Sequence, residues 1–245
     1  MDTALIFLNG HYNLHRLDFY RQEIENAVKD GSPLLCADGG IRIFDELNRH
    51  FSVNFIPDVL IGDLDSGANC LTDARKVIKK WIGKTDKDLT DGQLAVKYAI
   101  ENYRSNRIII YGGLPRNDEY ETDHFLGNLK LLRFGYALTR VDNKDYSAEI
   151  RDPLQTIHFV LSEVRIERKN SGLQRVSLIA DDSDVTVEYS QNLRWDLTTF
   201  HVHPDLSNAL RNEFIEGAEW VRIKLSEDSA PVYVIHNWYD SQNED

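Results

Sequence analysis

In the first half of the chain, short apolar runs alternate with amphipathic segments, and each run ends in a turn of glycine and polar residues. The runs cover residues 5–8, 34–37, 59–61 and 107–111. Runs this short and this continuously apolar predict strands that are buried on both faces. The segments between them have helical spacing. This half therefore predicts an α/β domain with a Rossmann-like parallel sheet.

Helices are expected between these strands, over residues 17–29, 41–49, 69–80, 90–103 and 123–134. In open parallel sheets, ligands bind at the carboxyl ends of the strands. The polar turns after the strands are therefore expected to meet in space, although they are far apart in the sequence.

After about residue 150 the pattern changes to short strands separated by turn signals such as Asn170-Ser171-Gly172 and Asp181-Asp182. The strand candidates are residues 157–161, 164–168, 175–180, 185–189, 219–225 and 232–237. This spacing predicts a small antiparallel β-sandwich domain. The polar segment 142–154 is expected to be the linker. The predicted domains are residues 1–145, the α/β domain, and residues 155–240, the β domain.

The composition excludes several classes of protein. A formal net charge of -12 argues against nucleic acid as a partner, because phosphates would be repelled. No apolar run approaches the roughly 20 residues needed to span a bilayer, and no membrane partner is expected. The N-terminal residues lack the basic region of a signal peptide. With only Cys36 and Cys70, we expect reduced thiols and a cytoplasmic location.

The first acidic cluster follows the third strand, where Gly62 is followed by Asp63, Leu64, Asp65 and Ser66. Two carboxylates one residue apart can both reach one hard cation, and Mg²⁺ prefers such oxygen ligands and bridges to substrate phosphates. A lone Asp-x-Asp is more often a solvated loop. Further clusters are therefore needed before the pair indicates a metal site.

A second cluster, Lys87-Asp88-Leu89-Thr90-Asp91, lies directly before a predicted helix. Asp88 or Thr90 could serve as the N-cap of that helix. A cap alone does not explain the crowding of acidic residues beside a lysine. A helix start that presents backbone N–H groups and a lysine is suited to phosphate.

The third cluster follows the strand that ends at residue 111. It contains Gly112-Gly113 and then Asp123, His124 and Asn128 at the start of the last predicted helix. Asp123 alone is more often a cap, and we assign His124 no role in proton transfer.

Together, these clusters resemble thiamine pyrophosphokinase. The resemblance rests on Asn9-Gly10, Asp38-Gly39-Gly40, Gly62-Asp63-Leu64-Asp65-Ser66, Lys87-Asp88-Leu89-Thr90-Asp91, Gly112-Gly113 and Asp123-His124 with Asn128. It covers the whole chain, because the β-rich second half also fits.

The resemblance implies an ATP-dependent enzyme that transfers diphosphate from ATP to the hydroxyl of thiamine, giving thiamine diphosphate and AMP. It implies that Asp63, Asp65 and Asp88 hold Mg²⁺, assisted by Asp91 or Asp123. The same three aspartates and Asp91 are expected to act in catalysis. The ATP and diphosphate site would be formed by Asn9, Gly10, Asp38, Gly39, Gly40, Lys87, Thr90, Asp123 and Asn128.

The resemblance also implies a homodimer, with thiamine between the α/β domain of one subunit and the β domain of another. Asn192-Leu193-Arg194-Trp195 is similar to a family segment, Gly-Leu-Lys-Trp, whose tryptophan stacks on thiamine. Trp195 and Asn212 are therefore expected to bind thiamine, since aromatic faces suit flat cationic rings. From the sequence alone, Trp195 is as well explained as an ordinary core residue.

The sequence departs from the family at three places. A long loop separates Gly112-Gly113 from Asp123-His124, and Glu121 stands where the family has arginine, although Arg116 could substitute. Arg211-Asn212 stands in place of Ser-Asn. Asn192 replaces a glycine. These changes concern the acceptor pocket and leave the predicted metal centre intact.

Three alternatives remain open at this stage. A related diphosphokinase could act on another heterocyclic alcohol, such as a hydroxymethyl pterin. A metal-dependent phosphohydrolase could use the same aspartates with water as the acceptor. A non-catalytic sensor could bind thiamine diphosphate, although so many carboxylates suit an anion poorly unless a metal organises them.

Overall fold

The computed structural model describes residues 2–62, 78–83, 88–114, 122–139 and 145–238. The chain divides into two compact units, Met1–Pro153 and Leu154–Asp245. Among the described residues, no helix is long and apolar enough to cross a membrane.

The described part of the first unit is a parallel sheet with helices. Its strands are β1 (Thr3–Phe7), β2 (Leu34–Ala37), β3 (Val59–Ile61), β4 (Lys80–Ile82), β5 (Arg107–Tyr111) and β6 (Ser147–Asp152). Its helices are α1 (Leu17–Asp30), α2 (Arg42–Phe51), α3 (Asp91–Tyr103) and α4 (Thr122–Leu138). The strand order is β6-β5-β1-β2-β3-β4, with every pair parallel. The predicted Rossmann-like parallel sheet is confirmed.

Helices cover both faces of this sheet, as continuously apolar strands require. On one face, Tyr20 and Ile24 of α1 and Phe44 of α2 pack in one core with Phe7 and Tyr111 from the strands. On the other face, α3 packs against β1 and β2 through its small buried residues, and α4 packs against α3. The sheet is therefore a fixed platform, and the turns at its carboxyl edge are held by buried strands.

Two sequence predictions in this unit differ from the structure, one of them only at the end of a helix. The helix predicted over 69–80 does not continue to its expected end, because β4 begins at Lys80; residues 69–77 lie outside the described part. This edge strand is short and half exposed, so its three residues carry no alternating pattern.

The predicted linker 142–154 contains β6, which pairs with β5. The sequence did not predict β6 because the strand contains charged residues. Arg151 forms ion pairs with Glu23 at 2.6 Å and with Glu149 at 2.8 Å, and Glu149 also accepts from Arg107. Charges paired inside a fold look, in a sequence, like a solvated linker.

The second unit consists of two antiparallel sheets. Its strands are β7 (Gln155–Val160), β8 (Glu163–Glu167), β9 (Gln174–Ala180), β10 (Val185–Gln191), β11 (His201–Val202), β12 (Asn212–Glu213), β13 (Trp220–Leu225) and β14 (Val232–Trp238). One sheet has the order β12-β9-β14-β7 and the other β11-β10-β13-β8. Val176 and Val234 of the first sheet share a core with Val187, Val221 and Ile223 of the second. The predicted antiparallel β-sandwich is confirmed.

Candidate active site

The turns after β1 and β2 are joined by a side-chain hydrogen bond. Asn9 Nδ2 donates to Asp38 Oδ2 across 3.2 Å. The Asp38 side chain is buried, its residue being only 6% exposed, and its Oδ1 has no hydrogen-bond partner among the described residues. Asp38 also has a backbone φ of +46°, which few residues other than glycine, asparagine and aspartate adopt readily. A buried carboxylate oxygen left without a partner is a strong indication of a bound group.

Gly39 and Gly40 let this turn approach the end of β1 closely. A β-carbon on Gly39 would overlap the Asn9 side chain, and one on Gly40 would overlap the carbonyl of Phe7. The glycine pair that sequence analysis assigned to nucleotide binding is therefore required by the backbone packing of the site itself.

Gly62, directly after β3, lies close to two of the predicted site aspartates. A β-carbon built on Gly62 would lie 3.2 Å from Asp91 Oδ2 and 3.3 Å from the Asp38 backbone nitrogen. The φ of Gly62 is +137°, which only glycine adopts without strain. The ends of β2 and β3 and the start of α3 therefore meet here, and Gly62 is followed directly by Asp63.

The structure brings together Asn9, Asp38 and Asp91 of the predicted set, and places Asp88 on the surface shortly before the start of α3. The predicted metal ligands Asp63 and Asp65 and the predicted phosphate-binding Lys87 lie outside the described residues.

Thr90 is the N-cap of α3. Its hydroxyl accepts from Gln93 N at 3.2 Å, and the Gln93 side chain accepts from Thr90 N at 2.9 Å, which forms a capping box. The structure therefore confirms Thr90, of the two candidates Asp88 and Thr90, as the N-cap of this helix. A nucleotide role for Thr90 stays a prediction. Asp91 is the first residue of the helix, where the helix dipole favours a negative charge.

The turns after β1 and β5 are in close backbone contact. A β-carbon on Gly10 would overlap the carbonyl of Gly112, which itself has a φ of +73°. The Tyr12 hydroxyl donates to the Leu8 carbonyl at 2.8 Å from a position beside Gly112. The two glycine turns therefore pack directly against each other, which only glycine permits.

A crevice opens beside these turns. Its lining residues are Asn9, Gly10, Gly112, Gly113, Leu114, His124, Phe125 and Asn128. Asn128 Nδ2 donates to the Gly113 carbonyl at 3.1 Å and so ties α4 to the glycine turn. The predicted nucleotide residues Asn9, Gly10 and Asn128 therefore share one crevice.

Asp123 is exposed in the first turn of α4 and does not line this crevice. His124 and Phe125 do line it, and sequence analysis gave them no role. The sequence does contain one signal for His124. It lies four residues before Asn128, so that the two side chains share a face of the helix.

The buried thiol and phenols nearby are unsuited to proton transfer. Burial raises the pKa of the Cys36 thiol and of the Tyr12 and Tyr111 hydroxyls, so these groups stay neutral at ordinary pH. Cys36 is fully buried in the core. We therefore assign none of these three groups a role in proton transfer.

The donor set suits a hard divalent cation. Within the described residues, no group of three or more histidine, cysteine, aspartate or glutamate side chains forms a complete metal site. The Asp38 backbone and the Asp91 carboxylate nevertheless border Gly62, and the predicted ligands Asp63 and Asp65 follow it in the chain. Oxygen ligands of this kind fit Mg²⁺ and not a softer metal.

In the second unit, Trp195 is a surface residue. It is 52% exposed, so the alternative of an ordinary core tryptophan is wrong. Arg194 stacks on its ring with the guanidinium carbon 5.0 Å from the ring centroid, and is itself paired with Glu213 at 2.8 Å. About half of the Trp195 side chain is therefore open to solvent.

Asn212 holds the Trp195 backbone. Its Oδ1 accepts from Trp195 N at 3.1 Å and its Nδ2 donates to the Trp195 carbonyl at 2.7 Å. Asn212 is buried, and its Oδ1 also accepts from Glu213 N. The Asn212 amide thus forms all these hydrogen bonds with backbone groups. We therefore describe Asn212 as a positioning residue for Trp195. Asn192, which replaces the family glycine, has a φ of +64°, which asparagine tolerates well.

Residues 24–139 match the family model described as "Thiamin pyrophosphokinase, catalytic domain". This segment belongs to the thiamin pyrophosphokinase family. The matched range contains Asp38, Gly62, Asp91 and Asn128, and the resemblance inferred from the sequence motifs is confirmed. The family is one of kinase-type transferases. A comparison with curated protein sequences finds no match.

Solved structures of the family share the fold. The thiamine pyrophosphokinase of Bacillus subtilis is 20% identical, with a TM-score of 0.70 over 97% of this chain and 99% of the other. The protein from Geobacillus thermodenitrificans is also 20% identical, with a TM-score of 0.70 over 98% of both chains. Yeast thiamin pyrophosphokinase is 17% identical, with a TM-score of 0.71 over 97% of this chain and 86% of the other. The likeness extends beyond the matched segment and includes the β-sandwich unit.

Proposed function

We propose that this chain is a thiamine diphosphokinase, which transfers diphosphate from ATP to the hydroxyl of thiamine and releases AMP. The observation that carries the proposal is the meeting of Asp38, Gly62 and Asp91 at the carboxyl edge of the parallel sheet, inside a segment of this family. The buried Asp38 Oδ1, which has no partner among the described residues, further supports the binding of a ligand at this point.

The cofactor in this proposal is Mg²⁺, held by Asp63, Asp65 and Asp88. When bound, it would neutralise charge on the polyphosphate and on the leaving oxygen. Asp91 lies beside Gly62 and adds negative charge next to the proposed ligands. Without a cation, such a concentration of carboxylates would repel the triphosphate of ATP.

The residues of the chain have mainly a positioning task, because diphosphate transfer requires little covalent chemistry from the protein. Gly10 and Gly112 line one crevice together with Asn9 and Asn128, and we assign a phosphate to this crevice. The start of α3 adds the partial positive charge of a helix N-terminus. We assign the nucleotide and diphosphate to Asn9, Gly10, Asp38, Gly39, Gly40, Lys87, Thr90, Asp123 and Asn128.

The acceptor is assigned to the second unit. Trp195 presents an exposed ring that suits a flat cationic heterocycle, and Asn212 fixes the loop from which the ring projects. By the family resemblance, Trp195 would serve the site of a neighbouring subunit in a cytoplasmic homodimer. Residues 1–145 would then carry catalysis and residues 155–240 thiamine binding and dimerisation.

The deciding experiment measures AMP formation from ATP by the purified chain, with thiamine and Mg²⁺ present together or with either left out. We expect AMP only when both are present. Asp63→Asn should abolish AMP formation and leave the far-ultraviolet circular dichroism unchanged. Near-normal AMP release by that variant would contradict the metal assignment.

The same assay distinguishes the competing functions. Phosphate release without any acceptor would indicate a phosphohydrolase, and tight binding of thiamine diphosphate without turnover would indicate a sensor. AMP formation with a hydroxymethyl pterin but not with thiamine would indicate the related diphosphokinase. Size-exclusion chromatography with light scattering tests the dimer separately.

A further inference from the structure

The β-sandwich unit carries a pair of histidines that the proposed reaction does not use. His201 and His203 are two residues apart at β11, which is the edge strand of its sheet. Val202 between them is 1% exposed and belongs to the core of the unit. Because side chains alternate along a strand, an inward Val202 places both imidazoles on the outer face.

The two rings lie beside each other. Their centroids are 6.4 Å apart and their planes differ by 28°. The carbonyl of His201 accepts from Asn208 Nδ2 at 2.9 Å and the carbonyl of His203 accepts from Leu206 N at 3.2 Å. The backbone beneath the pair is therefore held on both residues.

Each ring is also held by its Nδ1 atom. His203 Nδ1 lies 2.9 Å from Asp184 Oδ1, and His201 Nδ1 lies 3.1 Å from Thr186 Oγ1. In both cases the partner comes from the segment at the start of β10, the neighbouring strand. A carboxylate that accepts from Nδ1–H fixes the tautomer in which Nε2 carries the free lone pair. Histidine ligands of metals usually have such a partner on their second nitrogen.

We propose that His201 and His203 form a binding site for a divalent transition metal of the Zn²⁺, Cu²⁺ or Ni²⁺ class, with Nε2 of each ring as a ligand. Asp184 and Thr186 are the positioning residues of this site. It is chemically distinct from the carboxylate site of the first unit, because imidazole suits these metals and carboxylate suits Mg²⁺.

The site is a two-histidine chelate. The described residues contain no group of three or more metal-binding side chains, so water completes the coordination. Zinc–nitrogen bonds of about 2.0–2.1 Å in tetrahedral geometry require the two Nε2 atoms to approach to about 3.3 Å. The ring centroids now lie 6.4 Å apart, so both side chains must rotate towards each other, with adjustment of their Nδ1 contacts, before both Nε2 atoms can bind one ion.

The test is isothermal titration of the full chain with ZnCl₂ at pH 7.5, and with MgCl₂ as the hard-cation comparison. We expect wild type to bind one more equivalent of Zn²⁺ than the double variant His201→Gln/His203→Gln. Mg²⁺ should show no difference between the two proteins. Equal number and affinity of Zn²⁺ sites in both would overturn the proposal.

Three further measurements test how the site is built. Asp184→Asn keeps both ligands and should weaken this Zn²⁺ site by about tenfold or more. His50→Gln, an exposed histidine of the first unit, should change nothing. Cu²⁺ bound to wild type should show coupling to two imidazole nitrogens in electron paramagnetic resonance, and none at this site in the double variant. Failure of Asp184→Asn to weaken Zn²⁺ binding would contradict the positioning role.

Discussion

The side-chain amide of Asn9 donates to the carboxylate of Asp38 across 3.2 Å, and this bond links the turns that follow the first two strands of the parallel sheet. It uses only Oδ2 of the carboxylate. Oδ1 remains buried and without a partner among the described residues. The left-handed backbone and the half-satisfied carboxylate occur at the same residue, and unusual backbone conformations of this kind cluster at functional sites.

Asp38→Asn is expected to lower the rate of AMP formation by about a hundredfold or more, because it removes a charge from the centre of the proposed site. Asparagine tolerates the positive φ of Asp38, so the fold should be kept. The assay is thiamine-dependent AMP release at saturating ATP and Mg²⁺. Asp30→Asn, at the exposed end of α1, is the matched control and should behave as wild type. Full activity of Asp38→Asn would remove Asp38 from the site.

Gly62→Ala is expected to lower the free energy of unfolding by about 1–3 kcal/mol, because alanine is sterically strained at the φ of +137° that Gly62 adopts. It should also lower activity, because the new methyl would lie 3.2 Å from the Asp91 carboxylate. Urea denaturation and the AMP assay measure the two effects. Gly31→Ala separates strain from contact, since Gly31 has a φ of +71° and a β-carbon added there would meet no atom within 4 Å. An activity loss as large in Gly31→Ala would show that strain alone explains the result.

Trp195→Ala is expected to raise the KM for thiamine by about tenfold, equivalent to about 1.4 kcal/mol, with little change in the KM for ATP. Its stability should change little because half of the side chain is exposed. Trp195→Phe keeps a flat ring and should recover part of the affinity. Steady-state kinetics with each substrate varied in turn provide the measurement. An equal rise in both KM values would point to a structural role instead.

His236 makes the stability of the second unit depend on pH. The residue is fully buried, its Nε2 donates to Gln174 Oε1 at 2.8 Å, and its Nδ1 has no partner among the described residues. Burial, aided by nearby positive groups, lowers the pKa of His236 from 6.5 to about 3. Between these two pKa values, His236 is therefore neutral in the folded state and protonated in the unfolded chain.

Stability should accordingly fall as pH decreases from about 6.5 towards 3, with a slope of up to about 1.4 kcal/mol per pH unit from this residue. Above pH 6.5 the histidine is neutral in both states and contributes no pH dependence. Urea unfolding at pH 7.5 and at pH 5.0 measures the change. His236→Phe should reduce the difference between the two pH values. An unchanged difference would show that His236 does not titrate on unfolding.

Much of the fold could be read from local pattern. The continuously apolar runs that became β1, β2, β3 and β5 predicted a covered parallel sheet, because strands buried on both faces have no polar side. β4 and β6 were not predicted, since one is a half-exposed edge strand and the other buries charges that are neutralised by Glu23 and Arg107. Pairing of that kind depends on residues far away in the chain.

The sequence by itself determined the order of the polar turns, the residue types that suit Mg²⁺ and phosphate, and the family to which they point. Only the tertiary structure decided which of these residues meet. It brought Asp38 and Asp91 close to Gly62, placed Trp195 on the surface, and directed the Asn212 amide to the backbone of Trp195. The physical reason is that local pattern depends on neighbours in the chain, whereas contacts between turns depend on strand order and on the close backbone approach that glycine permits.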